Sequence, residues 1–388
     1  MKILLVAGRY PWPARRGDQL RAEQLLRLLG EEHEVQLLAP QPSGPAVAPP
    51  SGVQVELYRR RRRSQVRGLL RALRSGMPLQ AGLFFQADLG RRLRRWAPRV
   101  DLVVLLLARQ VLHLPDLGDR PMVSDLIDSL SLNFEHRARV DHPWMRPLLR
   151  WEAQRLLRAE GRLVERAGNA WLVCERDRRA LAQRLSGDSG ELAVVPILVP
   201  PAPVTPATGA DQETLVFTGN LGYFVNADAI QWFVESVWRG WAEKRPRARL
   251  VVAGSRPPRA LRRLLRATRG AELVESPPDL QPILAQARVA IAPMRCGSGV
   301  PIKVLEAWRA GVPVIASSWA AAGTRGQGGR ELLVADSVAE WHDALDELMQ
   351  GPALAAQLVA AGRACLEREY SPEAVRAALQ RSLAAASS

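Results

Sequence analysis

The chain has 388 residues, 47% of them hydrophobic, and a net charge of +15 from 54 basic and 39 acidic side chains. That length accommodates two domains of ordinary size, and that apolar content excludes wholesale disorder. No apolar run approaches the roughly 20 residues of a membrane-spanning helix, since the longest, Leu102–Ala108, is only as long as a strand.

The opening MKILLVAGRYPWP reads as a first buried strand rather than a signal peptide, its apolar run being short and without a cleavage-like site. A turn, the amphipathic stretch QLRAEQLLRLLG and the strand EVQLLAP complete a β-α-β start that lacks G-x-G-x-x-G. That absence argues against a dinucleotide cofactor here. In the turn, Asp18 is a good helix N-cap. Cys174, Cys296 and Cys365 are scattered without metal-ligand spacing, and five histidines form no ligand pair. These predict a reducing cytoplasm and no metal.

From Arg59 to Arg99 there are thirteen arginines against one acid, Asp88. Two helices are predicted in this segment. Val66, Leu69, Leu70 and Leu73 form an apolar stripe on the first, and Leu89, Leu93 and Trp96 on the second, each flanked by arginines. Such helices suit an anionic membrane surface, giving a cytoplasmic protein peripheral on the inner membrane face. The plain alternative is a solvated helix face. Nucleic acid is not expected, because the aromatic interleaving of single-strand binders and known reading motifs are missing.

DLVVLLLA and PMVSDLI are further strands, the second containing Asp125 and Asp128 as D-x-x-D. Asp128 with Ser129 caps the next helix or faces a ligand at the strand end. Residues 147–168 form a long helix, and the proline-rich stretch 201–213 separates an N-terminal domain, 1–200, from a C-terminal one, 214–370. Residues 371–388 form a last helix predicted to cross back to the first domain, with a frayed tail. Trp232, Phe233, Trp238 and Trp241 recur at near-helical spacing and read as core.

The stretch Ala290–Ser318 carries the chemistry. A strand leads into CGSGVP, a helix begins near Ile302, and GVPVIAS returns to strand. A helix entered through Gly297, Ser298, Gly299 and Val300 leaves N–H groups unpaired, with the positive end of its dipole facing outward. Arg295 and Lys303 flank the same spot, and Glu306 follows about one turn later as an acceptor for sugar hydroxyls. The bland reading is a tight strand-to-helix turn with a solvated helix face.

K-V-L-E-A followed by A-G-V-P-V-I-A-S resembles the donor segment of retaining glycosyltransferases of the family 4 type (glycosyl transferases group 1). The string T-G-N-L-G-Y-x-x-N-x-D-A-I-x-W-F resembles an exopolysaccharide and PEP-CTERM-associated subgroup. The resemblance implies the α/β GT-B fold, two Rossmann-like domains facing each other across a cleft, and a metal-independent enzyme without cofactor. It implies that Glu306 holds a ribose, that Arg295, Gly297, Ser298, Gly299, Val300 and Lys303 receive the diphosphate, and that Pro278, Asp279 and Leu280 meet the nucleobase. Gly219, Asn220 and Gly222 would line the cleft, with Gly17, Asp18, Arg21 and Asp128 on the acceptor side. Ser298 stands where the family usually has a second glutamate, and Lys303 is read as the compensating ligand. Basic residues near Gly219 and an N-G-V-D-like stretch before the linker are missing.

The expected activity is transfer of a sugar from a nucleotide sugar, UDP- or GDP-linked, with retention, to a glycan, lipid-linked or other small acceptor in bacterial polysaccharide or glycoconjugate synthesis. No residue is assigned as a base, because retaining members are thought to pass the acceptor proton to the leaving phosphate. The rivals are another GT-B enzyme, a nucleotide-sugar 2-epimerase or inverting transferase, and a non-catalytic binder of nucleotide sugars at the membrane.

Overall fold

The computed structural model describes residues 1–14, 16–42, 44, 47–185, 190–200 and 213–386. The chain forms two compact units, Met1–Ile197 with Arg376–Ser388, and Leu198–Val375. The stretch read as a linker lies, apart from Glu213, outside the described residues.

The first unit runs β1 (Lys2–Val6), α1 (Gly17–Gly30), β2 (Glu34–Pro40), β3 (Gln54–Tyr58), α2 (Arg62–Ser75), α3 (Leu79–Phe84), α4 (Ala87–Trp96) and β4 (Leu102–Leu106). It continues β5 (Met122–Ile127), α5 (Leu130–Val140), α6 (Arg146–Ala167), β6 (Asn169–Leu172), α7 (Glu175–Ala182) and β7 (Glu191–Val194). The strands form one parallel sheet in the order β3-β2-β1-β4-β5-β6-β7. Every residue of β4 and β5 is buried, as expected for a parallel sheet covered on both faces. Helix α6 stops at Gly168, whose φ of 67° gives the left-handed cap that an L side chain resists.

The second unit repeats the scheme with β8 (Thr214–Thr218), α8 (Phe224–Trp232), α9 (Arg239–Glu243), β9 (Arg249–Gly254), α10 (Arg259–Arg266), β10 (Ala271–Glu275), α11 (Gln281–Ala285) and β11 (Val289–Ala292). Then come α12 (Ile302–Ala310), β12 (Val314–Ala316), α13 (Ser318–Ala321), β13 (Leu333–Val334), α14 (Val338–Gln350) and α15 (Pro352–Tyr370). Its parallel sheet has the order β10-β9-β8-β11-β12-β13. Strand order therefore reverses between β1 and β4 in one unit and between β8 and β11 in the other, the Rossmann arrangement. Phe233, Trp238 and Trp241 are buried as their spacing predicts, and Trp232 is half-buried. Helix α16 (Pro372–Ala386) contributes its residues from Arg376 onward to the first unit.

The two basic helices differ in where their apolar stripes face, and only α4 corrects the sequence reading. Helix α2 buries Ser64, Gly68 and Ala72, its small side, against α3. A Cβ on Gly68 would fall 2.3 Å from the Gly82 carbonyl oxygen, so the helices meet where only glycine fits. Its apolar stripe faces outward, with Val66 58%, Leu70 50% and Leu73 50% exposed and only Leu69 half-buried. In α4 the stripe points inward: Leu89 and Leu93 are fully buried, and half-buried Trp96 lies under Arg95 and Arg99.

Candidate functional site

In open α/β sheets ligands bind beyond the carboxyl ends of the strands where strand order reverses. In the second unit that place is bounded by the loops after β8 and β11. The β11 loop contains Gly297 at φ 122° and Gly299 at φ 71°, and helix α12 then begins with no side chain capping it. In its first turn the Val304 N–H donates to the Pro301 oxygen at 2.9 Å, and the positive end of the helix dipole lies at this loop.

Lys303 extends from this turn into the unit rather than into solvent and is 9% exposed. Its Nζ donates to Asn226 Oδ1 at 2.8 Å, approaches Met294 Sδ at 3.6 Å and sits 3.7 Å from the Phe217 ring centroid. Burial pulls its pKa down to about 7, with Glu306 opposing the shift. Burial likewise pushes half-buried Glu306 up to about 7, against the pull of Lys303 and Arg309. These two side chains are poised to change charge when a ligand changes the local field.

The same Asn226 donates through Nδ2 to the Asn220 carbonyl oxygen at 3.0 Å. One side chain thus ties Lys303 to the glycine loop after β8. Within that loop Asn220 Oδ1 accepts the Gly222 N–H at 3.1 Å, and Gly219 holds φ 150° with Gly254 so close that a Cβ there would lie 1.8 Å from the Gly219 oxygen. Asn226 and Asp228 belong to the N-x-D of the string quoted above, yet neither receives a role from the sequence. The signal was the polar pair at the start of an otherwise apolar helix.

Arg295 departs from expectation. Its guanidinium grips Asp228 in a two-point ion pair, Nε to Oδ2 at 3.0 Å and Nη2 to Oδ1 at 2.5 Å, so a phosphate must compete with that carboxylate. Pro278, Asp279 and Leu280 follow β10, the edge strand, with β9 between it and β8. Asp279 there, one residue before Leu280, the N-cap of α11, accepts the Gln281 N–H at 2.9 Å.

On the first unit Arg21 requires a correction. It is 1% exposed, donating from Nε to Asp125 Oδ2 at 2.7 Å and from Nη1 to the Pro196 oxygen at 2.8 Å. A buried guanidinium must be paired, and Arg21 meets the Asp125 carboxylate at the sheet's end, while its Nη2 has no hydrogen-bond partner among the described residues. Asp18 is not the N-cap: α1 begins at Gly17 behind Arg16, and Asp18 pairs with Arg9. The cap of α5 is Ser129, whose Oγ accepts the Leu132 N–H, while Asp128 stands half-buried beside it. At Gly17 a Cβ meets nothing within 4 Å.

A cavity of about 530 Å³ is lined by Arg9, Tyr10, Trp12, Arg60, Phe84 and Gln86 among others, with no acid among the described residues of its wall. Trp12 is 7% exposed and its Nε1 finds no hydrogen-bond partner among the described residues. The sequence reading missed this pocket because its wall comes from four separate segments. Among the described residues no three His, Cys, Asp or Glu side chains gather as a metal cage.

These two units, each a parallel sheet with one reversal of strand order, constitute a GT-B fold. Residues 212–351 match the family model described as Glycosyl transferases group 1. No curated protein matches the chain by sequence. Among solved structures the chain is similar to sucrose-phosphate synthase from Thermosynechococcus elongatus, with TM-score 0.73, 16% identity and 100% of each chain covered. It is similar to Anabaena HepE in complex with UDP-glucose, with TM-score 0.68, 12% identity, and 99% of this chain and 100% of that one covered. It is also similar to a UDP-forming trehalose-phosphate synthase from Burkholderia xenovorans, with TM-score 0.65, 13% identity, and 100% of this chain and 99% of that one covered.

Proposed function

We propose that the protein is a glycosyltransferase that moves a sugar from a nucleotide-sugar donor to a glycan or lipid-linked acceptor with retention, as in bacterial polysaccharide synthesis. The observation that carries this reading is the linkage of Lys303 through Asn226 to the glycine loop at the reversal of strand order, within the segment that matches the transferase family. A UDP- or GDP-sugar is the donor class, in keeping with the UDP-glucose held by HepE.

In this reading the diphosphate meets the first turn of α12, and its negative charge recruits a proton to Lys303. Ribose hydroxyls donate to Glu306. The bond from the sugar's anomeric carbon to the phosphate oxygen breaks as the acceptor oxygen bonds to that carbon on the same face. The acceptor proton passes to the departing phosphate, and no metal or separate base takes part. Helix dipole and Lys303 stabilise the developing phosphate charge, an effect worth about 3–4 kcal/mol per key donor. The arginine-bearing cavity of the first unit receives the acceptor and favours one carrying negative charge.

The test is thermal stabilisation by UDP, GDP, ADP and TDP sugars, compared with a Lys303→Ala/Glu306→Ala variant, followed by product analysis with the donor that binds. A shift with one nucleotide class, lost in the variant, and an acceptor-dependent product with retained configuration are expected. An altered free sugar nucleotide formed without acceptor would instead identify an epimerase. Binding without turnover would identify a non-catalytic binder.

A further inference from the structure

Half of the exposed large hydrophobic side chains lie on two stretches of the first unit, α2 and the start of α6, that Arg155 joins. Of the twelve among the described residues, six are Val66, Leu70, Leu73, Trp144, Leu148 and Trp151. The first three recur at i, i+4 and i+7 of α2, a stripe about 10 Å long. The others lie in the turn before α6 and on its first two turns, where Trp144 is 75%, Leu148 49% and Trp151 38% exposed. Arg155 joins the two groups: its guanidinium lies 3.9 Å above the Trp151 ring and donates to the Leu73 carbonyl oxygen at 3.3 Å.

The charge on these two stretches has one sign. Arg62, Arg63, Arg67, Arg71 and Arg74 on α2 and Arg146 and Arg150 beside the tryptophans are all exposed, and neither α2 nor the segment 142–151 contains an acid. We infer that these two stretches dock the protein on an anionic lipid bilayer, leucines and tryptophans entering the headgroup boundary and arginines meeting lipid phosphates. Amphipathic faces of this composition bind by buried apolar area plus attraction to anionic lipid. A second copy fits poorly, because a two-fold contact would press arginines against arginines. The inference stands apart from the donor chemistry.

The molecule supplies its own control. Helix α10 carries Arg259, Arg262, Arg263 and Arg266 but buries Leu261 and Leu265, offering charge without an apolar stripe.

The experiment is co-sedimentation of the full chain with phosphatidylcholine vesicles, with and without phosphatidylglycerol, at low and physiological salt. Binding only to the phosphatidylglycerol vesicles, weakened by salt, is expected. A Leu70→Ser/Leu73→Ser/Trp144→Ser variant, unchanged in charge, should lose at least about tenfold in partitioning. An Arg259→Gln/Arg263→Gln/Arg266→Gln variant should stay within about twofold of the parent. The Trp144→Phe/Trp151→Phe variant should lose the fluorescence blue shift on binding. Melting curves confirm folding, and Trp144→Ser alone serves if the triple variant is unstable. The proposal is overturned if no vesicle binds, if the α10 variant loses as much as the apolar one, or if the apolar variant abolishes self-association instead.

Discussion

At Lys303 burial and the role proposed for its charge pull in opposite directions. An ammonium held away from water costs free energy unless something negative faces it, and here it meets the partial charge of Asn226 Oδ1, the Met294 sulfur and the Phe217 ring. The sign of the resulting pH dependence follows. With its pKa lowered from 10.5 to about 7, the folded state binds fewer protons at Lys303 than the unfolded state between those values, so this contribution to stability rises with pH across that window. Glu306, raised from 4.5 to about 7, does the reverse, and its contribution falls as pH rises from 4.5 to 7. Together they place a local stability minimum near neutrality. Lys303→Met should therefore stabilise the ligand-free protein by about 1–3 kcal/mol below neutrality, the gain shrinking toward pH 10. Denaturant titrations at several pH values read this directly. A nucleoside diphosphate, by restoring charge to Lys303, should bind with proton uptake above pH 7. Calorimetry in buffers of different ionisation enthalpy detects that uptake, which the variant should lack.

Helix α8 shows where a sequence stops being legible. The strand, loop and helix around CGSGVP could be read from an apolar run, two glycines and a renewed period, and α12 begins at Ile302 as that pattern requires. The contact from Asn226 to Lys303 spans 77 residues, and that from Arg21 to Asp125 spans 104. No periodicity reports such pairs; they exist only once the sheet order is known. The same limit applied to α2, whose stripe was visible while the side meeting α3 was not, because Gly68 against Gly82 is a contact of backbones. Glycines likewise look alike in sequence but differ in the fold. At Gly297 φ is 122° and a Cβ would stand 3.0 Å from Val225 Cγ1, whereas at Gly17 it would meet nothing. Gly297→Ala should cost about 1–3 kcal/mol and weaken nucleotide binding, while Gly17→Ala should change stability by less than about 0.5 kcal/mol. Equal effects in chemical denaturation would mean that the loop after β11 is not held as described.

Across the whole molecule the chain ends where it began. Two Rossmann sheets are built in succession, and the last residues then return to the first. Trp171, fully buried on β6, donates from Nε1 to Ser382 Oγ at 2.6 Å, and Asn169 Nδ2 donates to the Ser382 carbonyl oxygen at 2.9 Å. Leu379 and Leu383 of α16 are buried, and Arg376 pairs with Glu31 of the segment leading from α1 to β2. Burying a Trp N–H is tolerated because Ser382 accepts from it. Ser382→Ala removes that acceptor and should cost about 1–3 kcal/mol, the penalty for an orphaned buried donor. Deleting residues 376–388 should cost considerably more, since two leucines and every one of these hydrogen bonds go with it. Nucleotide is expected to stabilise only the second unit's transition, so calorimetry with and without it separates the two. A loss confined to the transition that nucleotide does not move is the expected result. A fall of the nucleotide-sensitive transition by the same amount would contradict the role of α16 as part of the first unit.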